Sequence, residues 1–311
     1  MPNYLECVCF VYARMGGVFK PVGTAFYLRI DDGPLFHNYV VTALHVVANV
    51  HTHSDDKTTY LRVNAKDGGF RIVEVSESSW WRPDFTDGVI KDVAFCPLQT
   101  LDGVKEWHFR AIGAELAATS EVIEAEQLGV GNEVAMIGLF VNHHGRDRNE
   151  PIARFGNICA VPTELVSTKV GDIEAYLVEA RSAGGLSGSP VFVDAGLFRV
   201  VDNVRQYRQG GGPVMFLLGL MNGHWDAFVD KSMGEGGASA EYVNKGVAVV
   251  TPIDVVLNVI RRSPYGRAMA ELRKRVEAGL SPSDYDDQGR YIVAIPWDAP
   301  DDEDDARLPN S

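Results

Sequence analysis

"GGLSGSPVF" occupies Gly184–Phe192. Two glycines lead into Leu186, Ser187, Gly188, Ser189 and Pro190, and the chain then turns apolar. A glycine-rich bend ahead of a buried strand is either a plain turn or the seat of a nucleophile with an anion site built around it. A serine hydroxyl is a poor nucleophile and needs a general base within hydrogen-bond reach, commonly a histidine held in one tautomer by a carboxylate. The second reading therefore demands a histidine and an acid elsewhere in the chain.

Of the eight histidines, His45 fits best. It sits in "YVVTALHVVANV" (Tyr39–Val50), at the end of an apolar β run and ahead of a helical-looking segment. Strand ends beside loops are where catalytic groups are commonly held. His37, His108 and His224 lack that context. His51 and His53, and His143 and His144, form pairs without a third ligand cluster, so they read as exposed loop histidines and no metal or other cofactor is expected. For the acid, "GVIKDVAFCPL" (Gly88–Leu98) puts Asp92 at the entry of an apolar strand, where it needs a partner. Asp84 and Asp87 compete from the preceding loop, but no buried strand follows them so closely.

Around these residues the chain is rich in short β-type runs broken by glycine, aspartate and proline, from Cys7–Ala13 to Gly246–Val250. That pattern predicts sandwiches or barrels rather than alternating α/β units. Ala111–Leu128 reads as the crossing between two β units. "TPIDVVLNVIRR" then opens a helix at Pro252, and a second helix spans about Pro264 to Ala278, closed by Gly279. The four cysteines, Cys7, Cys9, Cys96 and Cys159, have no spacing that suggests a disulfide framework or zinc site, and read as reduced, buried thiols.

The net charge of −13 leaves no basic excess to neutralise phosphates, which argues against a nucleic-acid partner. Between Ser281 and Ser311 nine acidic residues face two arginines, so this stretch reads as a solvated, partly disordered acidic tail. The densest apolar run, "VMFLLGLM" (Val214–Met221), is too short to span a bilayer, and no signal peptide is apparent. A cytoplasmic protein without membrane contact is expected.

The order His45, Asp92, Ser187 resembles that of the trypsin-like, chymotrypsin-fold serine proteases. The matching stretches are "GTAFYL", "TALHVV", "KDVAFCPL" and "GLSGSP", followed by "LLGLMNG" and "GVAVVTPIDVVLNVI", over roughly residues 5–262. The details are most similar to the bacterial, disulfide-free branch of heat-shock-type proteases, here without a PDZ domain. The α/β-hydrolase alternative fails, because Ser189 stands where its nucleophile elbow requires glycine and its triad order ends in histidine.

The resemblance implies an all-β fold: two six-stranded antiparallel β-barrels packed together, followed by C-terminal helices and the acidic tail. The expected domains are 1–115 with His45 and Asp92, 116–251 with Ser187, helices over 252–280, and the tail over 281–311. It implies a serine endopeptidase acting through an acyl-enzyme on a protein or peptide, with room for a regulatory protein partner. Ser187 would attack, His45 would shuttle the proton, Asp92 would orient the imidazole, and the amides of Gly185 and Ser187 would form the oxyanion hole. Asn222, Gly223 and His224 would pair with an extended substrate. Arg181, at the expected base of the primary pocket and assisted by Ser182 and His224, would favour an acidic side chain; the alternative is an Arg181 that points to solvent or pairs with Glu179. Leu186 replaces the usual acid before the nucleophile, which argues against activation by capture of a new N-terminus. The competing reading is a catalytically idle protease-fold module that binds peptides or acts as a scaffold.

Overall fold

The computed structural model describes residues 4–83, 89–168, 171–180, 184–201, 204–207, 214–229 and 241–279. The acidic tail, "RYIVAIPW" (Arg290–Trp297), Arg181 and Ser182 lie outside them.

The N-terminal half is organised around β1 (Val8–Met15), whose first six residues are all buried. A strand buried on both faces needs neighbours on both edges. It has them in β2 (Val18–Asp32) and β4 (Thr59–Asn64). β3 (Leu35–Thr42), β5 (Phe70–Val75) and β6 (Ala94–Pro97) complete an antiparallel path in the order β5-β4-β1-β2-β3-β6. Just beyond β5, Trp81 bridges to Phe95 of β6, which brings the two ends of the path together. The 15-residue β2 accommodates Pro21 at a bulge opposite Val11 and Tyr12, since proline has no N–H for the ladder.

The crossing expected over Ala111–Leu128 contains β7 (Ile112–Gly113), parallel to β2, and helix α2 (Ser120–Glu126). Helix α1 (Leu44–His53) follows β3. The second half is a closed six-stranded barrel. Its strands are β8 (Glu133–Gly138), β9 (Ile152–Ala160), β12 (Tyr176–Glu179), β13 (Pro190–Asp194), β16 (Met215–Val229) and β17 (Glu241–Pro252). They close in the order β12-β17-β16-β13-β8-β9. Two small hairpins stand apart, β10 (Val166–Thr168) with β11 (Gly171–Ile173), and β14 (Phe198–Val201) with β15 (Val204–Tyr207). A closed six-stranded barrel and a second, seven-stranded sheet, followed by C-terminal helices, are consistent with the chymotrypsin-like double-barrel architecture anticipated from the sequence.

The helices α3 (Ile253–Arg262) and α4 (Pro264–Glu277) follow β17, yet Ile253, Val256, Leu257, Ile260, Tyr265 and Met269 join the apolar core of the N-terminal sheet. The Tyr265 ring lies 6.1 Å from those of Tyr39 and Trp81, and Arg273 pairs with Asp32 at 2.5 Å. The C-terminal helices thus strap one half to the other. Ile137, Leu139, Phe192, Leu217 and Leu220 of the barrel half belong to that same core, so the halves meet along a continuous apolar seam. No helix among the described residues is long and apolar enough to cross a membrane.

All four cysteines are free. Cys7, Cys9 and Cys96 are buried, and burial pushes the Cys9 and Cys96 thiols up to about 12. Cys159 departs from expectation: it is exposed, on an outward position of β9. His51 and His53 also differ, since they end helix α1 rather than lying in a loop, and His51 pairs with Glu77 at 3.2 Å.

Candidate active site

His45 is the second residue of α1, the helix that β3 delivers to the seam. The first N–H groups of a helix lack intrahelical acceptors. Ala43, at the N-cap, has no side chain to supply one. Asp92 fills that role from another part of the chain: its Oδ1 accepts the His45 backbone N–H at 2.8 Å. Its Oδ2 meets His45 Nδ1 at 2.6 Å. One carboxylate therefore caps the helix and fixes the imidazole it carries. Nδ1–H donates to Oδ2, leaving Nε2 as the acceptor.

Asp92 is 4% exposed. Burial works against its charge, but the hydrogen bonds and charge of His45, with a further bond from Asn222, outweigh it and hold the carboxyl below the usual aspartate range. The Asn222 side chain was expected along a substrate strand, but it is buried behind the acid. Its Nδ2 donates to Asp92 Oδ2 at 2.8 Å and to the Asp92 carbonyl at 3.1 Å. Its Oδ1 accepts from the Thr251 hydroxyl at 2.6 Å and the Thr251 N–H at 3.0 Å. All polar atoms of the Asn222 amide are used, so its orientation is determined.

Ser187 lies between Leu186, fully buried in the barrel core, and Gly188. Leu186 thus anchors the loop by apolar burial. Gly188 has φ +88°, and a Cβ there would sit 2.0 Å from the Thr24 carbonyl oxygen. Gly185 has φ +98°, a region that side chains disfavour. Neither the Gly185 nor the Ser187 N–H has a hydrogen-bond acceptor among the described residues, so both remain available for a ligand oxygen. The Ser187 hydroxyl donates to the Asn222 carbonyl at 3.0 Å rather than to His45.

Thr24 ties this loop to the N-terminal sheet. It is fully buried, its N–H donates to the Ser187 carbonyl at 2.9 Å, and its hydroxyl donates to the Gly185 carbonyl at 2.7 Å while accepting the Leu139 N–H. Its own carbonyl accepts the Thr42 hydroxyl at 2.7 Å. Thr24 and Thr251 were missed by sequence reasoning, although both stand inside quoted stretches, "GTAFYL" and "GVAVVTPIDVVLNVI".

The structure thus brings His45, Asp92, Ser187, Gly185 and Asn222 together at the seam. Gly223 and His224 continue β16 opposite Val249 and Ala248 of β17. β13 starts at Pro190, opposite Leu220, so from Asn222 onward the edge of β16 away from β17 has no strand against it among the described residues.

No protein-family model matches the chain, and a search of curated proteins returns no match. Among solved structures the chain is similar to the MamO protease domain from Magnetospirillum magneticum in its apo form, with 15% identity and a TM-score of 0.46 over 82% of this chain and 96% of that one. It is also similar to an inactive form of the Rv3671c protease, with 15% identity and a TM-score of 0.44 over 84% of this chain and 93% of that one. Likenesses at this level carry no inference about activity.

Proposed function

We propose that this chain is a serine endopeptidase in which Ser187, His45 and Asp92 act as nucleophile, general base and orienting acid. The observation that carries the proposal is the two-point contact of Asp92 with the His45 imidazole and amide, at 2.6 and 2.8 Å, at the seam that also holds Ser187. A buried carboxylate fixing a histidine tautomer beside a serine on a glycine bend is what acyl transfer requires.

In the proposed cycle Ser187 Oγ turns from the Asn222 carbonyl toward His45. His45 Nε2 takes its proton as Oγ attacks the substrate carbonyl carbon. The charge that develops on the carbonyl oxygen is met by the amides of Gly185 and Ser187. His45 then gives the proton to the leaving amine, and water, activated by the same imidazole, hydrolyses the acyl-enzyme. The free edge of β16 supports docking of the substrate backbone as an added strand.

One observation favours a second reading, an idle protease-fold module that binds peptides: the Ser187 hydroxyl is engaged by the Asn222 carbonyl. Digestion of an unfolded protein separates the two. The enzyme reading expects peptide products from the wild-type chain and none from Ser187→Ala, with His45→Ala strongly impaired. Equal digestion by wild type and Ser187→Ala would reject it, as would intact substrate from a folded wild-type chain.

A further inference from the structure

An arginine whose Nε has no hydrogen-bond partner among the described residues stands at the mouth of the closed barrel. On β8 and β9, Val134 faces Gly156 and Met136 faces Arg154. Facing residues of an antiparallel pair project from the same side. Val134 and Met136 belong to the barrel core, as does Ile158 further along β9, so Arg154 is on the inward face. The next pair, Gly138 with Ile152, ends the ladder. Arg154 therefore enters the barrel close to its rim.

Its Nε is shut off from solvent and has no hydrogen-bond partner, and Arg154 makes no ion pair with any described residue. Arginine stays charged at any pH a protein tolerates, and an unmade hydrogen bond at a buried donor is costly. The same side chain lines an open cavity of about 540 Å³ with Phe140, Ile152, Ala153 and Phe155. The rim next to Arg154 meets the nucleophile loop: a Cβ on Gly138, which faces Ile152 in the ladder, would come 2.0 Å from Ser189 Oγ and 3.2 Å from Leu186 Cδ2.

We propose that Arg154 is the carboxylate-reading residue of a substrate subsite, taking a glutamate or aspartate side chain that flanks the scissile bond. This rests on the peptidase reading above. The planar guanidinium matches a carboxylate through paired, charge-assisted hydrogen bonds. Phe140, Ile152 and Phe155 suit the apolar stem of such a side chain. A singly charged carboxylate also fits a chain of net charge −13 better than a dianionic phosphate does. The assignment differs from an acid pocket built on Arg181: Arg154 comes from β9, not from the segment before the nucleophile.

The test uses the full chain and peptide pairs that differ only by Glu against Gln at one of the four positions around the cleaved bond. Cleavage is measured on the wild type, and equilibrium binding by fluorescence anisotropy on Ser187→Ala, so that the subsite is read even if no peptide is cut. The proposal expects Glu to be preferred over Gln by about tenfold or more at one position, in line with a hydrogen-bonded charge pair. Arg154→Met should bring that ratio to about one, each variant's Glu value being normalised to its own Gln value. Arg154→Lys, which keeps the charge but not the fork, should leave an intermediate ratio. A wild-type ratio near one at all four positions would overturn the proposal. So would a preference that survives Arg154→Met, or one erased by Arg181→Met and untouched at Arg154. Failure of the peptidase reading looks different: no cleavage of any peptide, with the binding ratio intact.

Discussion

At the scale of single residues, the candidate site is held together by Asp92, which makes several bonds at once. It caps α1, orients the imidazole and accepts from Asn222. Removing the Asn222 amide would leave the Asp92 carboxylate held only by its two bonds to His45 and less firmly oriented. Asn222→Ala is therefore expected to lower kcat about 10- to 100-fold with KM little changed, because orientation rather than substrate contact is lost. It should also raise the Asp92 pKa, read by NMR titration of the carboxyl, since a bond that favours the charged carboxylate is gone. A proportional rise in KM with kcat intact would contradict this positioning role. Gly188 makes a simpler prediction. With φ +88° and the Thr24 carbonyl 2.0 Å from any added Cβ, Gly188→Ala should cost about 3 kcal/mol in urea unfolding, and a loss under about 0.5 kcal/mol would refute the close approach. His45, Asp92 and Ser187 were legible because each stands in a short apolar or glycine context that makes a polar residue conspicuous. The roles of Thr24 and the Asn222 side chain were not, because their partners are 115 and 130 residues distant and local patterning carries no trace of them.

At the scale of elements, the C-terminal helices announce themselves and a few of the shortest strands do not. α3 shows apolar residues at helical spacing after Pro252, and α4 opens with Ser263 and Pro264 and closes near Gly279, where φ is +77°. The Ser263 hydroxyl accepts the Gly266 N–H at 2.9 Å, so Ser263→Ala should destabilise the chain by about 1 kcal/mol and lower Tm by a few degrees. An unchanged Tm would show that the cap contributes nothing. That α3 and α4 pack on the N-terminal sheet was not legible, since helical periodicity reveals an apolar face but not what covers it. His51 and His53 were misplaced for a related reason: α1 lacks a capping side chain of its own, and its last turn is polar. The strands β10, β11 and β15 are three or four residues each, too short for a period of two to register.

At the scale of the whole molecule, the site belongs to neither half alone. His45 and Asp92 come from the N-terminal half, Ser187, Asn222 and Thr251 from the barrel half, and Thr24 spans the seam. Stability and the state of Asp92 are consequently linked. Its folded pKa lies below the aspartate value of about 3.9 expected in an unfolded chain. The contribution is therefore fully present above that value and is lost as pH falls through the lower folded one. The gap in unfolding free energy between wild type and Asp92→Asn should hold steady from about pH 7 to 5 and shrink below about pH 4. A gap that widens on acidification would contradict this sign. The central claim, that this seam activates Ser187, is tested most directly by treating the folded chain with a fluorophosphonate and mapping the adduct by mass spectrometry. The account predicts one adduct on Ser187, absent from Ser187→Ala and much slower to form in His45→Ala and Asp92→Asn. A folded wild-type chain that stays unlabelled, or an adduct on another residue, would contradict it.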